Sequence, residues 1–358
     1  MADRIRIAVV FGGRSSEHGV SAVSAGAVLG ALDPDRYEVI PVGITQTGQW
    51  VITDATPDSL QITGRTLPQI TDGRAVTLRG DTSSSELVVI DAGKAVETLG
   101  SVDVVFPVLH GRYGEDGTIQ GLLEMAGVPY VGAGVFGSAA AMDKEYTKKL
   151  LRAEGLAVGE FRVLRHPERA GVGDVADLGL PVFVKPARGG SSVGISRVTD
   201  WSQLADALAL AFSHDTKVLV EAAVVGREIE CGVLEGADGE PEASLPAEIK
   251  QVPGHDWYDF DAKYLDDGEY DLPPDLPGGV IDEIRQSACT AFTALDGSGL
   301  ARVDFFVAAG NRVIVNEVNT LPGFTPISMF PKMWAASGVS YPEVIDRLVA
   351  AALRRAGR

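Results

Sequence analysis

The chain has 358 residues, too many for one comfortable hydrophobic core, which predicts two or three domains. A formal net charge of −18 at pH 7 argues against nucleic acid and anionic membrane surfaces as partners, so no nucleic-acid or membrane association is expected. The composition is that of an ordinary globular protein, with 45% hydrophobic and 22% charged residues. No signal-like segment precedes Ile5 and no apolar run reaches membrane-spanning length, so the cytoplasm is the expected compartment. Cys231 and Cys289 lack metal-binding spacing and read as small buried hydrophobes.

Residues 4–13 (RIRIAVVFGG) read as a buried strand ending in glycines, followed by Ser15-Ser16-Glu17-His18 and a helix over 21–32. Such a β-turn-α opening starts an open parallel sheet, whose functional residues gather beyond the strand C-termini. Glu17 and His18 stand there, and fit either a site or a helix N-cap favoured by the dipole. Tyr37–Ile44 is a second strand. Residues 46–100 are polar and turn-rich, with short strands at 76–78 and 87–90, and read as an insertion at the domain's edge without chemistry of its own. A buried strand over 102–109 delivers HGRYGEDG (110–117) to the same sheet edge. Gly132–137 matches GxGxxG, but no second strand with a terminal acid follows at dinucleotide-binding distance, so these glycines read as a turn between domains. A charged helix is predicted over 142–154.

The next segment carries a strand over 180–185 (LPVFVK), the loop PARGGSSVG, and a strand over 195–198. This loop lies between two strands and does not open a helix. Its backbone N–H groups and hydroxyls can cover phosphates, with Lys185 reaching an anion beneath; the alternative is a plain surface hairpin. REIECGVL (227–234) alternates as a strand with Glu228 and Glu230 on one face. Glu221 and Glu228 flank a segment boundary where a cleft is expected, or else are solvated. Residues 252–272 form a long aromatic, acidic loop of the kind that makes lids, with Lys263 and Tyr264 as inward-facing candidates. Residues 301–328 then read as a β-hairpin about a two-residue Gly310-Asn311 turn. That turn sets Asp304 opposite Glu317 and Arg302 opposite Asn319, all on one face, with Val303, Phe305, Val313 and Val318 on the other. Two carboxylates and an amide form an Mg2+ ligand set, unless the face is merely solvated.

Six motifs in order resemble the ATP-grasp ligases, and within them the D-alanine:D-alanine ligase family, over nearly the whole chain: EHGVS, HGRYGEDG, KPARGGSSVGIS, DAKY, ARVDFF and NEVNTLPGFTPIS. The resemblance implies mixed α/β and α+β ATP-grasp architecture: an N-terminal open-sheet domain over 1–132, an ATP-grasp subdomain with the glycine-rich loop over 133–222, and a second over 223–358 with lid, metal site and oxyanion residues. It implies ATP-dependent joining of two D-alanines through an acyl phosphate, as a step towards peptidoglycan. It assigns two Mg2+ (or Mn2+) to Asp304, Glu317 and Asn319, and ATP to Lys144, Lys185, Ser191, Ser192, Glu221, Val224, Glu228 and Lys263. Arg302 and the Gly323 N–H are implied to stabilise the oxyanion. Glu17 and His110 take the first D-alanine, and Ser328 and the Met329 N–H take the carboxylate of the second. Glu17, Ser191 and Tyr264 form the set that holds the lid, Tyr264 favouring D-alanine over D-lactate as acceptor. A homodimer built on the first domain is also implied.

Overall fold

The computed structural model describes residues 4–79, 82, 84–250 and 269–357. Lys263 and Tyr264, and with them the expected lid, lie outside the described residues. The described residues build three sheets in chain order.

The first sheet is seven-stranded, ordered β6-β5-β4-β3-β2-β1-β7. Its strands are β1 (Ile5–Gly12), β2 (Tyr37–Ile44), β3 (Trp50–Ile52), β4 (Arg74–Leu78), β5 (Glu86–Asp91), β6 (Lys94–Ser101) and β7 (Val104–Val108). Only β2, β1 and β7 pair in parallel. These three are the apolar runs expected of strands buried on both faces. The stretch 46–100 is more ordered than its composition suggests: it adds β3 to β6 as an antiparallel meander on one edge. His18 fastens this meander. Its Nδ1 donates to the Gly13 carbonyl at 2.7 Å and its Nε2 accepts the Ile70 N–H at 2.9 Å. His18 is therefore a structural side chain, and Glu17, although at the N-cap of helix α1 (His18–Ala31), makes no capping hydrogen bond.

Helix α2 (Thr118–Ala126) precedes α3 (Val135–Met142) and α4 (Lys144–Ala153). Helix α4 is the charged helix expected over 142–154, and α3 is a separate helix before it. Asp143 separates them because its side chain caps the Glu145 and Tyr146 N–H groups. Gly132 takes φ 98° and Gly134 caps α3, so the glycines do form a turn into that helix.

The second sheet is ordered β10-β9-β11-β8, from β8 (Phe161–Leu164), β9 (Val182–Pro186), β10 (Ser196–Val198) and β11 (Val218–Ala222), with α5 (Leu204–His214) against it. The third runs β15-β14-β12-β16-β17, with β13 on β12. It comprises β12 (Gly226–Glu235), β13 (Pro241–Ala243), β14 (Ala247–Ile249), β15 (Tyr270–Asp271), β16 (Leu300–Ala308) and β17 (Arg312–Asn319), backed by α6 (Gly278–Ala294). Two terminal helices, α7 (Met329–Ala336) and α8 (Tyr341–Arg355), return to the first sheet. Phe330, Trp334, Ile345 and Leu348 share one core with Ile7, Val9, Phe11 and Phe106.

Candidate active site

A cleft of about 630 Å³ lies between the second and third sheets, closed at one end by loops of the first. Its floor is the β16–β17 hairpin. The pairing Asp304 with Glu317 and Arg302 with Asn319 is as expected, but the turn is not. Ala308 pairs with Arg312 across three residues, with Gly310 (φ 74°) and Asn311 (φ 62°) left-handed. At that register Asp304 would face Asn316. A β-bulge at Asn316 adds one residue to β17, so Glu317 comes opposite Asp304 after all. The longer turn and the bulge cancel. The bulge also explains how Val313, Val315 and Val318 all reach the core with Val303 and Phe305, since residues of opposite parity share a face only across such an irregularity.

On the cleft face, Arg302 grips Asp304 through two hydrogen bonds, Nε to Oδ1 and Nη2 to Oδ2, both 2.7 Å. Asn319 Nδ2 donates to Asp304 Oδ2 at 3.0 Å. Burial works against the guanidinium's charge, and Asp304 and Glu230 more than offset it, so its pKa rises well above the usual arginine range. The donor set fits a hard divalent cation: two carboxylates meet across one register position with an amide beside them. Among the described residues no group of three or more His, Cys, Asp or Glu side chains surrounds a common point. Further ligands would come from substrate phosphates.

The wall opposite is the β9–β10 hairpin and its glycine-rich loop. Ser191 (φ 47°) and Ser192 (φ 59°) are both left-handed, a conformation that costs roughly 1 kcal/mol per non-glycine residue. The contacts that hold it are visible: Ser191 Oγ donates to Glu17 Oε1, and Lys144 Nζ donates to the Gly189 carbonyl at 2.8 Å. Glycines leave room for the Glu17 carboxylate on both sides. A Cβ at Gly111 would stand 2.2 Å from Glu17 Oε2, and one at Gly190 would stand 2.9 Å from it.

Deeper in the cleft, Lys185 Nζ lies 2.7 Å from Glu221 Oε2, and Lys148 Nζ lies 3.4 Å from Glu221 Oε1. Burial alone would raise the Glu221 pKa; the two lysines outweigh it and hold it at about 2. Lys148, buried, moves the other way, its pKa lowered by desolvation that Glu221 only partly offsets. Its Nζ also donates to the Asn316 carbonyl at 3.3 Å, so it fastens the bulge. Val224, Phe183, Phe306 and Ile314 add an apolar slot, and Glu228 stands on β12 beside Phe306. This combination suits a flat heteroaromatic ring with a polyhydroxylated group at its edge.

At the other end His110 is buried, with both ring nitrogens engaged. Nδ1 donates to the Leu321 carbonyl at 3.0 Å, and Nε2 accepts from the Ser24 hydroxyl at 2.9 Å. Burial lowers its pKa, so the ring is neutral. Glu115 binds the same residue from its other side: Oε1 accepts the Leu321 N–H at 3.0 Å, while Oε2 accepts the Gly111 N–H at 2.7 Å. Burial, with Glu17 nearby, pushes the Glu115 carboxyl up to about 8. Helix α7 begins at Met329, with Ser328 as its N-cap residue. Gly323, Ser328 and Met329 line the cleft, the Ser328 hydroxyl being tied to Thr325 Oγ1 at 2.8 Å.

Every described candidate except His18 thus reaches one cleft. Sequence reasoning gave no role to Glu115, Lys148 or Glu230. Glu115 sits inside a motif already singled out. Lys148 is one helical turn beyond Lys144, which signals a shared face and nothing more.

Two sheets closing on a nucleotide-sized cleft, one bringing a glycine-rich hairpin and the other a hairpin with paired carboxylates, define an ATP-grasp carboxylate–amine ligase. Residues 6–133 match the family model described as D-ala D-ala ligase N-terminus, and residues 150–350 that described as D-ala D-ala ligase C-terminus. The chain is 59% identical to a D-alanine--D-alanine ligase of Rhodococcus opacus (strain B4), covering 98% of each chain. It resembles the solved D-alanine-D-alanine ligase of Coxiella burnetii with a TM-score of 0.84 at 37% identity, over 99% of this chain and 96% of that one. A Bacillus anthracis D-alanine--D-alanine ligase solved with ATP matches with a TM-score of 0.73 at 27% identity, over 99% of each chain. The chain belongs to the D-alanine–D-alanine ligase family.

Proposed function

We infer that the protein joins two D-alanines to D-alanyl-D-alanine, converting ATP to ADP and phosphate, for peptidoglycan precursor synthesis. A carboxylate is a poor acylating agent because its leaving group would be oxide. Transfer of the γ-phosphoryl group to the first D-alanine carboxylate replaces that with phosphate. The amine of the second D-alanine then attacks the carbonyl carbon, the tetrahedral intermediate collapses, phosphate leaves and the amine loses a proton.

In this reading Glu17 pairs with the first D-alanine's ammonium, beside the neutral His110. Lys144, Lys185, Ser191 and Ser192 face the phosphates, Glu221 and the Val224 backbone face adenine, and Glu228 faces ribose. Asp304, Glu317 and Asn319 would hold Mg2+ (or Mn2+), two ions by the family resemblance, which neutralise phosphate charge when bound. Arg302 and the Gly323 N–H receive the developing oxyanion, where preorganised donors matter most. Ser328 and the Met329 N–H, at the start of α7, receive the second D-alanine's carboxylate. By the family resemblance Lys263 takes ATP and Tyr264 joins Glu17 and Ser191 in holding the lid; both lie outside the described residues. Water must be kept from the acyl phosphate, and the Ser191–Glu17 contact draws the glycine-rich loop towards the substrate end.

The observation that carries this reading is the bulged hairpin, which sets two carboxylates, an amide and Arg302 side by side on the floor of the cleft. Purified protein given ATP and Mg2+ is expected to release ADP only when D-alanine is added; D-alanine-independent release, or none, overturns the reading. No helix among the described residues is long and apolar enough to cross a membrane, and we place the enzyme in the cytoplasm as a homodimer. Exposed Leu122, Met125, Val135 and Phe136, on the adjoining helices α2 and α3, support self-association there.

A further inference from the structure

Glu230 on β12 pairs with Asp304 on β16, which pairs with Glu317 on β17. Three carboxylates therefore stand in one row across three adjacent strands, all lining the cleft. The reaction as derived uses two of them. Glu230 is only 5% exposed, and a buried carboxylate persists as an anion only beside a cation or strong donors. Arg302 is that cation: its Nε lies 3.3 Å from Glu230 Oε2.

The local packing shows why this contact is there. Arg302 pairs across the sheet with Gly232, and a Cβ at Gly232 would stand 2.9 Å from Trp334 Nε1 and 3.2 Å from the Phe330 ring. The aromatic wall of α7 thus fills the ground beside Arg302, and the guanidinium leans along the strand towards Glu230 and Asp304. Asp304, however, has two duties. Both its oxygens accept from Arg302 here, and Oδ2 accepts from Asn319 as well. A divalent cation would compete for those same oxygens.

We propose that Glu230 is a positioning residue that keeps Arg302 docked over the reacting carbonyl while Asp304 serves the metal. The proposal rests on the ligase reading and adds to it a residue specific to the acyl-transfer half. Glu230 acts through Arg302 and does not bind the cation, consistent with the absence of a three-carboxylate metal group among the described residues.

The test is a double-mutant cycle with a separate binding measurement. Glu230→Gln keeps shape and removes charge, and is expected to lower kcat about tenfold or more, a fraction of the loss from deleting an oxyanion donor. By titration calorimetry its affinity for Mg2+–ADP should stay within about twofold of the parent, whereas Glu317→Gln should weaken it. Combining Glu230→Gln with Arg302→Lys should cost little beyond Arg302→Lys alone, because one side chain works through the other. Unchanged kcat, additive losses, or weakened Mg2+–ADP binding in Glu230→Gln would each overturn the proposal. Should Glu230→Gln fail to fold by circular dichroism, Glu230→Asp, which keeps the charge and shortens its reach, enters the same cycle with the same criteria. A parent enzyme without D-alanine-dependent ADP release would instead sink the ligase reading, whatever the variants do.

Discussion

At the scale of single residues, the site is made of charges whose states are set by their neighbours. Glu317 faces Asp304 across the sheet, so Glu317→Gln removes one of the two anionic ligands we propose for the metal without changing shape. A loss of about 10- to 100-fold in Mg2+-dependent turnover is expected, measured as ADP release against Mg2+ concentration. Glu115 gives a pH signature. Its folded pKa, about 8, lies above the ordinary value of 4.5, so the folded state holds the proton more tightly. Its contribution to stability is full below about 4.5, declines as pH rises, and is gone above about 8. Replacing it with alanine removes that dependence. The melting-temperature gap between parent and Glu115→Ala should therefore narrow from acid to alkaline pH, and a gap that widens would contradict the assignment.

At the scale of elements, the hairpin shows how a correct pairing can arise by a different route. A three-residue turn shifts β17 one way, and the bulge at Asn316 shifts it back. The pairing of Asp304 with Glu317 does not distinguish this from a two-residue turn without a bulge; the signal is the opposite parity of Val313 and Val318, which share the core face only across an irregularity. The two ends of the hairpin should respond differently to mutation. At Gly310 (φ 74°) nothing lies within 4 Å of where a Cβ would stand, so Gly310→Ala carries only the left-handed strain. About 1 kcal/mol of stability should be lost in urea unfolding, with kcat unchanged. Lys148→Met, at the bulge, strips Glu221 of one buried partner and Asn316 of its donor. A loss of about 3 kcal/mol, with a raised KM for ATP, is expected from the unfolding curve and initial rates.

At the scale of the whole molecule, the last helix belongs to the first sheet's core. Val344, Ile345, Leu348 and Val349 are buried with β1 and β7 side chains, and Arg355 Nη2 donates to the carbonyls of Tyr130 and Gly132 at 2.9 and 3.1 Å. Glu235, on the third sheet, accepts from both Arg354 and Arg355 at 3.0 Å. Four such apolar side chains represent at least about 6 kcal/mol of burial, comparable with the whole stability of many proteins. Deleting residues 341–358 should therefore yield protein without a cooperative melt by circular dichroism, although every proposed catalytic residue remains.

The amino-acid order alone determined which strands are buried, which loops carry glycine and serine, and which carboxylates share the hairpin's face, because each follows from residues near one another in the chain. The tertiary structure decided what depends on contacts between distant segments. Residues 46–100 pass for an irregular insertion until His18, an apparent site residue, is found fastening them to the sheet at Ile70. Glu115 and His110 close on the backbone N–H and carbonyl of Leu321, some two hundred positions away along the chain. Lys148 and Glu230 look like ordinary helix and strand charges; only burial beside Glu221 and Arg302 gives them work. A charge's role depends on what desolvates it and what stands within a few ångströms, and neither is a property of local sequence.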